Sequence, residues 1–238
     1  MNGTVLMVVV VLSISSGYGY NGINQGAQGA EYVNKIDQDT MLSRQLLYNG
    51  IVWKNKYHSI DGDQFYMTDW FLPGEVSING QTFENQKIKF DIYNDELLVP
   101  INRDEIVQLN KEMVDSFTMT FENRSYKFIN LRNEGSNGFT GYVNILYKGK
   151  SELYVKARKE ISHYITEKKL GSFYENDLIY LMKDNIAYKI TTKKNLYKIL
   201  QDDNSQLRSF VSHNKIRLSK KRPESYVPLI RYYDSLSH

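Results

Sequence analysis

The chain has no cysteine. That excludes thiolate nucleophiles, disulfides, cysteine-type zinc sites and iron–sulfur clusters. It also excludes the lipid-bearing cysteine that follows the leader of a bacterial lipoprotein. A eukaryotic secreted protein of this size more often carries disulfides, so their absence leans toward a bacterial periplasm or cell surface. Asn123-Arg124-Ser125 then reads as a coincidental sequon. Proline is scarce, at 4 of 238 residues, and charged residues make up only 24%. This balance argues against wholesale disorder. No charge occurs before Glu31.

Several catalytic signatures are missing as well. There is no HExxH and no GxSxG, which leaves zinc hydrolases and α/β-hydrolase triads unsupported. Neither Asp-Thr-Gly nor Asp-Ser-Gly is present; Asp39-Thr40-Met41 does not qualify. Gly135-Ser136-Asn137-Gly138 precedes a strand pattern, without a P-loop lysine or Rossmann spacing, and reads as a loop.

What is present begins with an apolar run, Met1 to Ile14, followed by Ser15-Ser16-Gly17-Tyr18-Gly19. Small residues at the −3 and −1 positions of a cut after Gly19 give residues 1–19 the layout of a signal peptide, although the usual basic n-region is missing. The run is shorter than the ~20 residues that span a bilayer. Cleavage would leave 238 − 19 = 219 residues and no transmembrane span in the mature chain. Residues 20–43, rich in Gly, Asn and Gln at first, read as a flexible leader.

Residues 44–191 read as an antiparallel β domain built of hairpins, with order expected from about Leu46. Asn79-Gly80 is the strongest two-residue turn signal and pairs Ile78 with Gln81 and Val76 with Phe83. A turn centred on Asn94-Asp95 pairs Ile92 with Leu97, Phe90 with Val99 and Ile88 with Ile101. The change of apolar parity between Phe83 and Ile88 predicts a bulge near Asn85-Gln86. Asn123-Arg124 pairs Phe121 with Tyr126 and Met119 with Phe128. A loop at Gly149-Lys150-Ser151 pairs Tyr147 with Leu153 and Ile145 with Val155. One at Lys183-Asp184-Asn185 pairs Met182 with Ile186, Tyr180 with Tyr188 and Leu178 with Ile190.

Residues 192–238 change to a helical period. Leu196, Ile199 and Leu200 share one face; Leu207, Phe210 and Val211 share another after a cap at Asp203 or Asn204. A last helix starts near Ser225 and carries Tyr226, Leu229, Ile230, Tyr233 and Leu236, with Pro228 in its first turn. The fold class is therefore α+β, predominantly antiparallel β. A hairpin meander forms a strongly curved sheet or open barrel, with the C-terminal helices packed on the same domain.

Charge is uneven. Lys189 to Arg222 holds ten basic residues against Asp202 and Asp203, a local charge of +8, whereas the rest of the chain sums to −5. A polyanion would bind there, on Lys193, Lys194, Lys198, Arg208, Lys215, Arg217, Lys220, Lys221 and Arg222. The interleaved aromatics fall at core spacing, so nucleic-acid stacking is not expected. Asp61-Gly62-Asp63 is the most metal-like fragment, but it lacks further ligands at EF-hand spacing and reads as a polar turn. Acids for hydrolysis could come from Asp61, Asp63, Asp91, Asp95, Glu96, Asp104 and Glu105, with Asp91 expected to face solvent. His58, His163, His213 and His238 show no metal-binding spacing. No catalytic residue, metal or cofactor is assigned.

Leu47-Tyr48-Asn49-Gly50, Gly74-Glu75-Val76 leading to Asn79-Gly80-Gln81-Thr82-Phe83-Glu84-Asn85, and Asp91-Ile92-Tyr93-Asn94-Asp95-Glu96-Leu97 resemble an uncharacterised family of exported β-rich proteins from Bacteroidota-type Gram-negative bacteria. Leu207 to Lys220 and Tyr232-Tyr233-Asp234 are similar to helical ends in the same proteins. The resemblance implies export to the periplasm, outer membrane or exterior, and carries no functional residue with it. The expectation is a non-enzymatic binding or scaffold module of the cell envelope, partnered by an envelope protein or by anionic lipid or lipopolysaccharide. The alternatives are an open-barrel carrier of a lipid or other apolar ligand, and a carboxylate-based hydrolase.

Overall fold

The computed structural model describes residues 41, 45–132, 139–166, 168–200 and 204–236. All but Met41 belong to one compact unit, Ser43–His238. The expected signal peptide, the leader up to residue 40, the Gly135–Gly138 loop and Asp203 lie outside the described residues.

Strands of the β domain come in chain order as β1 (Gly50–Val52), β2 (Ile60–Asp61), β3 (Leu72–Ile78), β4 (Gln81–Asp91), β5 (Glu96–Pro100), β6 (Ile106–Leu109), β7 (Val114–Phe121), β8 (Arg124–Leu131), β9 (Gly141–Lys148), β10 (Glu152–Lys156), β11 (Lys159–His163), β12 (Gly171–Glu175), β13 (Leu178–Lys183) and β14 (Ile186–Lys189). Eleven of them make one sheet in the order β1-β6-β5-β4-β3-β7-β8-β9-β10-β13-β14; β11, β12 and β2 make a small second one. The helices follow: α1 (Lys193–Leu200), α2 (Asn204–His213), a 3₁₀ turn (Pro223–Tyr226) and α3 (Val227–Leu236). The architecture is thus predominantly antiparallel β with C-terminal helices.

The order departs from a simple meander where β6 leads to β7, because β5, β4 and β3 stand between them. In a flat sheet that step would span about 19 Å at ~4.8 Å per strand. Residues 110–113 instead form a tight turn, with the N–H groups of Met113 and Val114 both donating to the Asn110 carbonyl. The sheet must curl to bring β6 and β7 together, and it stays open because its edge strands β1 and β14 do not pair with each other. β4 makes the corner: Gln81 to Ile88 pair with β3, and Lys89 to Asp91 pair with β5. The second departure is the β11–β12 hairpin, inserted between β10 and β13, whose β12 pairs in parallel with β2.

Register shows which turns the chain uses. The β3–β4 pairing is as expected, and the ladder shifts between Gly74 and Val76, opposite Asn85 at φ +55, which places the bulge where parity changes. In the β4–β5 hairpin, Phe90 faces Leu97 and Asp91 faces Glu96, two residues away from the expected pairs. The turn closes one residue earlier because Asp91 Oδ1 accepts the N–H groups of Tyr93 and Asn94. The β7–β8 hairpin is displaced by two as well: Glu122 and Asn123, both at positive φ, form the turn, so Met119 faces Tyr126 and Phe117 faces Phe128. A two-residue displacement keeps every side chain on its face. The β13–β14 turn is Asp184-Asn185, not a three-residue loop, and this one-residue change sets Leu181 opposite Tyr188 and Met182 opposite Ala187. Between β9 and β10, Leu153 faces Tyr147 as expected, but a bulge then sets Tyr154 opposite Ile145.

Two main cores result. Phe90, Phe117, Phe128 and Tyr142 fill the curled part, with Phe117 stacked on Phe128 at 4.8 Å and Phe90 edge-on to both. The second core lies under the helices, where Leu196, Leu200, Leu207, Tyr226, Leu229 and Ile230 cover Leu153, Val155, Ile179 and Leu181. Pro228 sits in the first turn of α3, where its missing N–H costs nothing. Asp234, in the last turn of α3, holds that helix to the β9–β10 hairpin by accepting from Tyr147 Oη (3.1 Å) and the Ser151 N–H (2.9 Å).

Candidate functional site

The nine basic residues expected to meet a polyanion are all exposed: Lys193, Lys194, Lys198 and Arg208 because α1 and α2 turn apolar stripes inward, and Lys215, Arg217, Lys220, Lys221 and Arg222 on the connection from α2 to the 3₁₀ turn. Among the described residues none of the nine is ion-paired. The structure divides them. Lys194, Lys198 and Arg208 border one concavity, together with Tyr197. The Arg208 guanidinium lies 4.4 Å from the Tyr197 ring centroid, which holds a long side chain in place without neutralising it. Lys215, Arg217 and Arg222 border a second concavity, with Glu224 and Ser225 on its wall. Lys193 and Lys220 stand exposed outside both, and Lys221 lines a third cleft.

That third cleft is where the structure gathers carboxylates. Glu175, Asp177 and Glu224 line it with Tyr66, Asn144 and Lys221 over an apolar floor. Burial pushes the Asp177 carboxyl above its ordinary range; the Arg158 N–H it accepts pulls it back, and Glu175 and Glu224 push it further up. None of the acids singled out in the sequence lines this cleft. Its members come from β12, the β12–β13 turn and the 3₁₀ turn, and only the fold brings them together.

The acids expected from the sequence are dispersed instead. Asp61 accepts from Tyr164 Oη (2.7 Å) and lies 3.4 Å from Lys169 Nζ; Asp63 pairs with Lys159 at 2.9 Å. Both flank the polar turn at Gly62 (φ +79). Asp104 and Glu105 are exposed beside Asn102, whose side chain organises that turn. Asp95 is shared by Lys111 and Lys156. Asp91 corrects the expectation that it faces solvent: it is fully buried. Strand parity misleads at that position because the chain leaves the strand there, and the carboxylate folds back onto its own turn. Burial raises its proton affinity against the N–H donors of Asn94 and Tyr93. His58, His163 and His213 are exposed, and His238 lies outside the described residues. Among the described residues no group of three or more metal-ligating side chains is placed to hold an ion, and no helix is long and apolar enough to cross a membrane.

No known protein family, curated protein or solved structure matches this chain.

Proposed function

We propose that this chain is an exported cell-envelope protein that works as a non-enzymatic binding module, with an anionic envelope surface as its partner. The observation that carries the reading is the set of nine exposed cations of the C-terminal segment, four on α1 and α2 and five on the connection between α2 and the 3₁₀ turn, none of them ion-paired among the described residues. Unpaired cations on a packed C-terminal layer create a positive potential and draw polyanions from a distance. Export rests on the apolar run and small residues of positions 1–19, on the absence of cysteine, and on the family resemblance. The interior of the curled sheet is occupied by Phe90, Phe117, Phe128 and Tyr142, which favours a surface contact over a carried apolar ligand.

Co-sedimentation with vesicles tests the reading. The protein is expected to pellet with vesicles containing anionic phospholipid, to remain in solution with purely zwitterionic ones, and to dissociate as salt screens the contact. Equal binding to both vesicle types, or binding that rises with salt, overturns it.

A further inference from the structure

A separate cleft is lined by none of the C-terminal cations. Residues 51–57 border, with Asn94, Glu96 at the start of β5 and Gln108 near the end of β6, a cavity of about 180 Å³, on the order of one sugar ring. Its walls are Trp53 and Tyr57, and its polar groups are Asn94, Glu96 and Gln108, with Lys54 and Lys56 at the rim.

The aromatic walls are braced. Trp53 packs against Phe65 at 5.9 Å between ring centroids, and Tyr57 is held edge-on by Tyr93 (5.1 Å) and Phe173 (5.6 Å). Tyr57 Oη donates to Asn94 Oδ1 at 2.9 Å, and Asn94 Nδ2 donates to the buried Asp91 at 2.8 Å. Asn55 Oδ1 accepts the Tyr57 N–H at 3.0 Å and fixes the bend of the segment. Asn94 is thus already engaged, but among the described residues the side chains of Trp53, Glu96 and Gln108 make no hydrogen bond. A half-buried carboxylate and amide that make no hydrogen bond, beside two braced rings, form a site with hydrogen-bonding capacity in place and unused.

We propose that this cleft binds a saccharide. A pyranose has an apolar C–H face that lies on an aromatic ring and a rim of hydroxyls that each donate and accept. Planar Glu and Gln side chains match pairs of neighbouring hydroxyls, the Trp53 indole N–H donates to another, and the rim lysines donate to those left over. The site needs no charge on the ligand, which separates it from the basic helices.

Trp53 itself reports occupancy. The only other tryptophan is Trp70, which is 73% exposed, so Trp70→Phe leaves Trp53 as the single indole signal. Titrating that protein with the neutral probes cellotetraose and tetra-N-acetylchitotetraose is expected to give a saturable fluorescence change with at least one of them, of the same midpoint at low and high salt. Glu96→Gln and Gln108→Ala should each move the midpoint several-fold higher, while Lys194→Glu with Lys198→Glu leaves it in place. Glu96→Gln is nearly isosteric, so the test survives if Gln108→Ala fails to fold. No saturable change with either probe, or a midpoint that Glu96→Gln does not move, overturns the proposal. A midpoint that follows the C-terminal charge reversal overturns it too.

Discussion

Lys156 Nζ lies 2.8 Å from Asp95 Oδ2, across 61 positions of the chain. Lys111 donates to the same oxygen at 2.5 Å, and the Tyr142 N–H faces the other oxygen at 3.4 Å. One carboxylate on the β4–β5 turn thereby ties the first half of the sheet to β9 and β10. Gly141, at φ +86, is the backbone it rests on: a Cβ there would stand 1.9 Å from Asp95 Oδ2.

Asp95→Ala is therefore expected to cost about 2–3 kcal/mol, since it leaves the largely buried Lys156 ammonium without a counter-charge. Lys111→Ala should cost under about 1 kcal/mol, because that lysine is the more exposed partner. Gly141→Ala should cost at least about 2 kcal/mol through both the clash and the positive φ. Urea melts of the three variants check the ranking; equal effects for Asp95→Ala and Lys111→Ala would contradict it.

Fully buried Asp91 and half-buried Asp177 contribute to the pH dependence, and burial pushes Glu96 the same way. Asp91 and Asp177 are both held above the usual carboxylate range by burial, more than their hydrogen bonds offset. For such a group the native state binds the proton more readily than the unfolded chain does. Its contribution to stability therefore grows as pH falls toward the ordinary carboxylate range and is lost as pH rises. The urea midpoint should hold or rise between neutral pH and about pH 5, where acids of ordinary range have not yet titrated. Asp177→Asn keeps an oxygen for the Arg158 N–H and should flatten that trend, with stability at neutral pH unchanged or raised by up to about 1 kcal/mol. An unaltered slope in this variant would assign the effect elsewhere.

The β7–β8 turn offers a gain. Glu122 and Asn123 both sit at positive φ, a geometry in which Glu is strained and Asn-Gly is favoured. Replacing the pair with Asn-Gly should raise stability by about 1 kcal/mol, read as a higher melting temperature. A loss would mean that the Glu122 side chain contributes more than its backbone strain removes.

Lys194→Glu with Lys198→Glu should leave stability within about 0.5 kcal/mol, since both side chains are exposed. The same variant should weaken attachment to anionic vesicles by about 30-fold or more, at ~1 kcal/mol for each cation removed and a further repulsion for each acid added. Co-sedimentation at matched salt measures it.

Much of the fold was legible in the chain because alternation and turn chemistry are local. Asn79-Gly80 marked its hairpin to the residue, and the parity change marked the bulge at Asn85. Where the turn was placed one residue off, at Asn94-Asp95 and at Asn123-Arg124, the error moved pairs by two and left the faces right. The side chain of Asp91 decided the first case, and alternation carries no information about a carboxylate folding onto its own turn. The curl between β6 and β7, the parallel contact of β12 with β2, and the meeting of Glu175, Asp177 and Glu224 depend on strands remote in sequence. The cations of the C-terminal segment were legible as a charge run. Their separation into distinct concavities was not, because it follows from how α1, α2 and the connection to the 3₁₀ turn fold in space.

The helices α1 and α2, which carry Lys193, Lys194, Lys198 and Arg208, also roof the second core, over Leu153, Val155, Ile179 and Leu181. Their outer side is consequently no detachable tail, and occupying it is thermodynamically linked to folding. A polyanion that grips only the assembled layer must raise the melting temperature of the sheet beneath, by an amount that grows with the logarithm of its concentration.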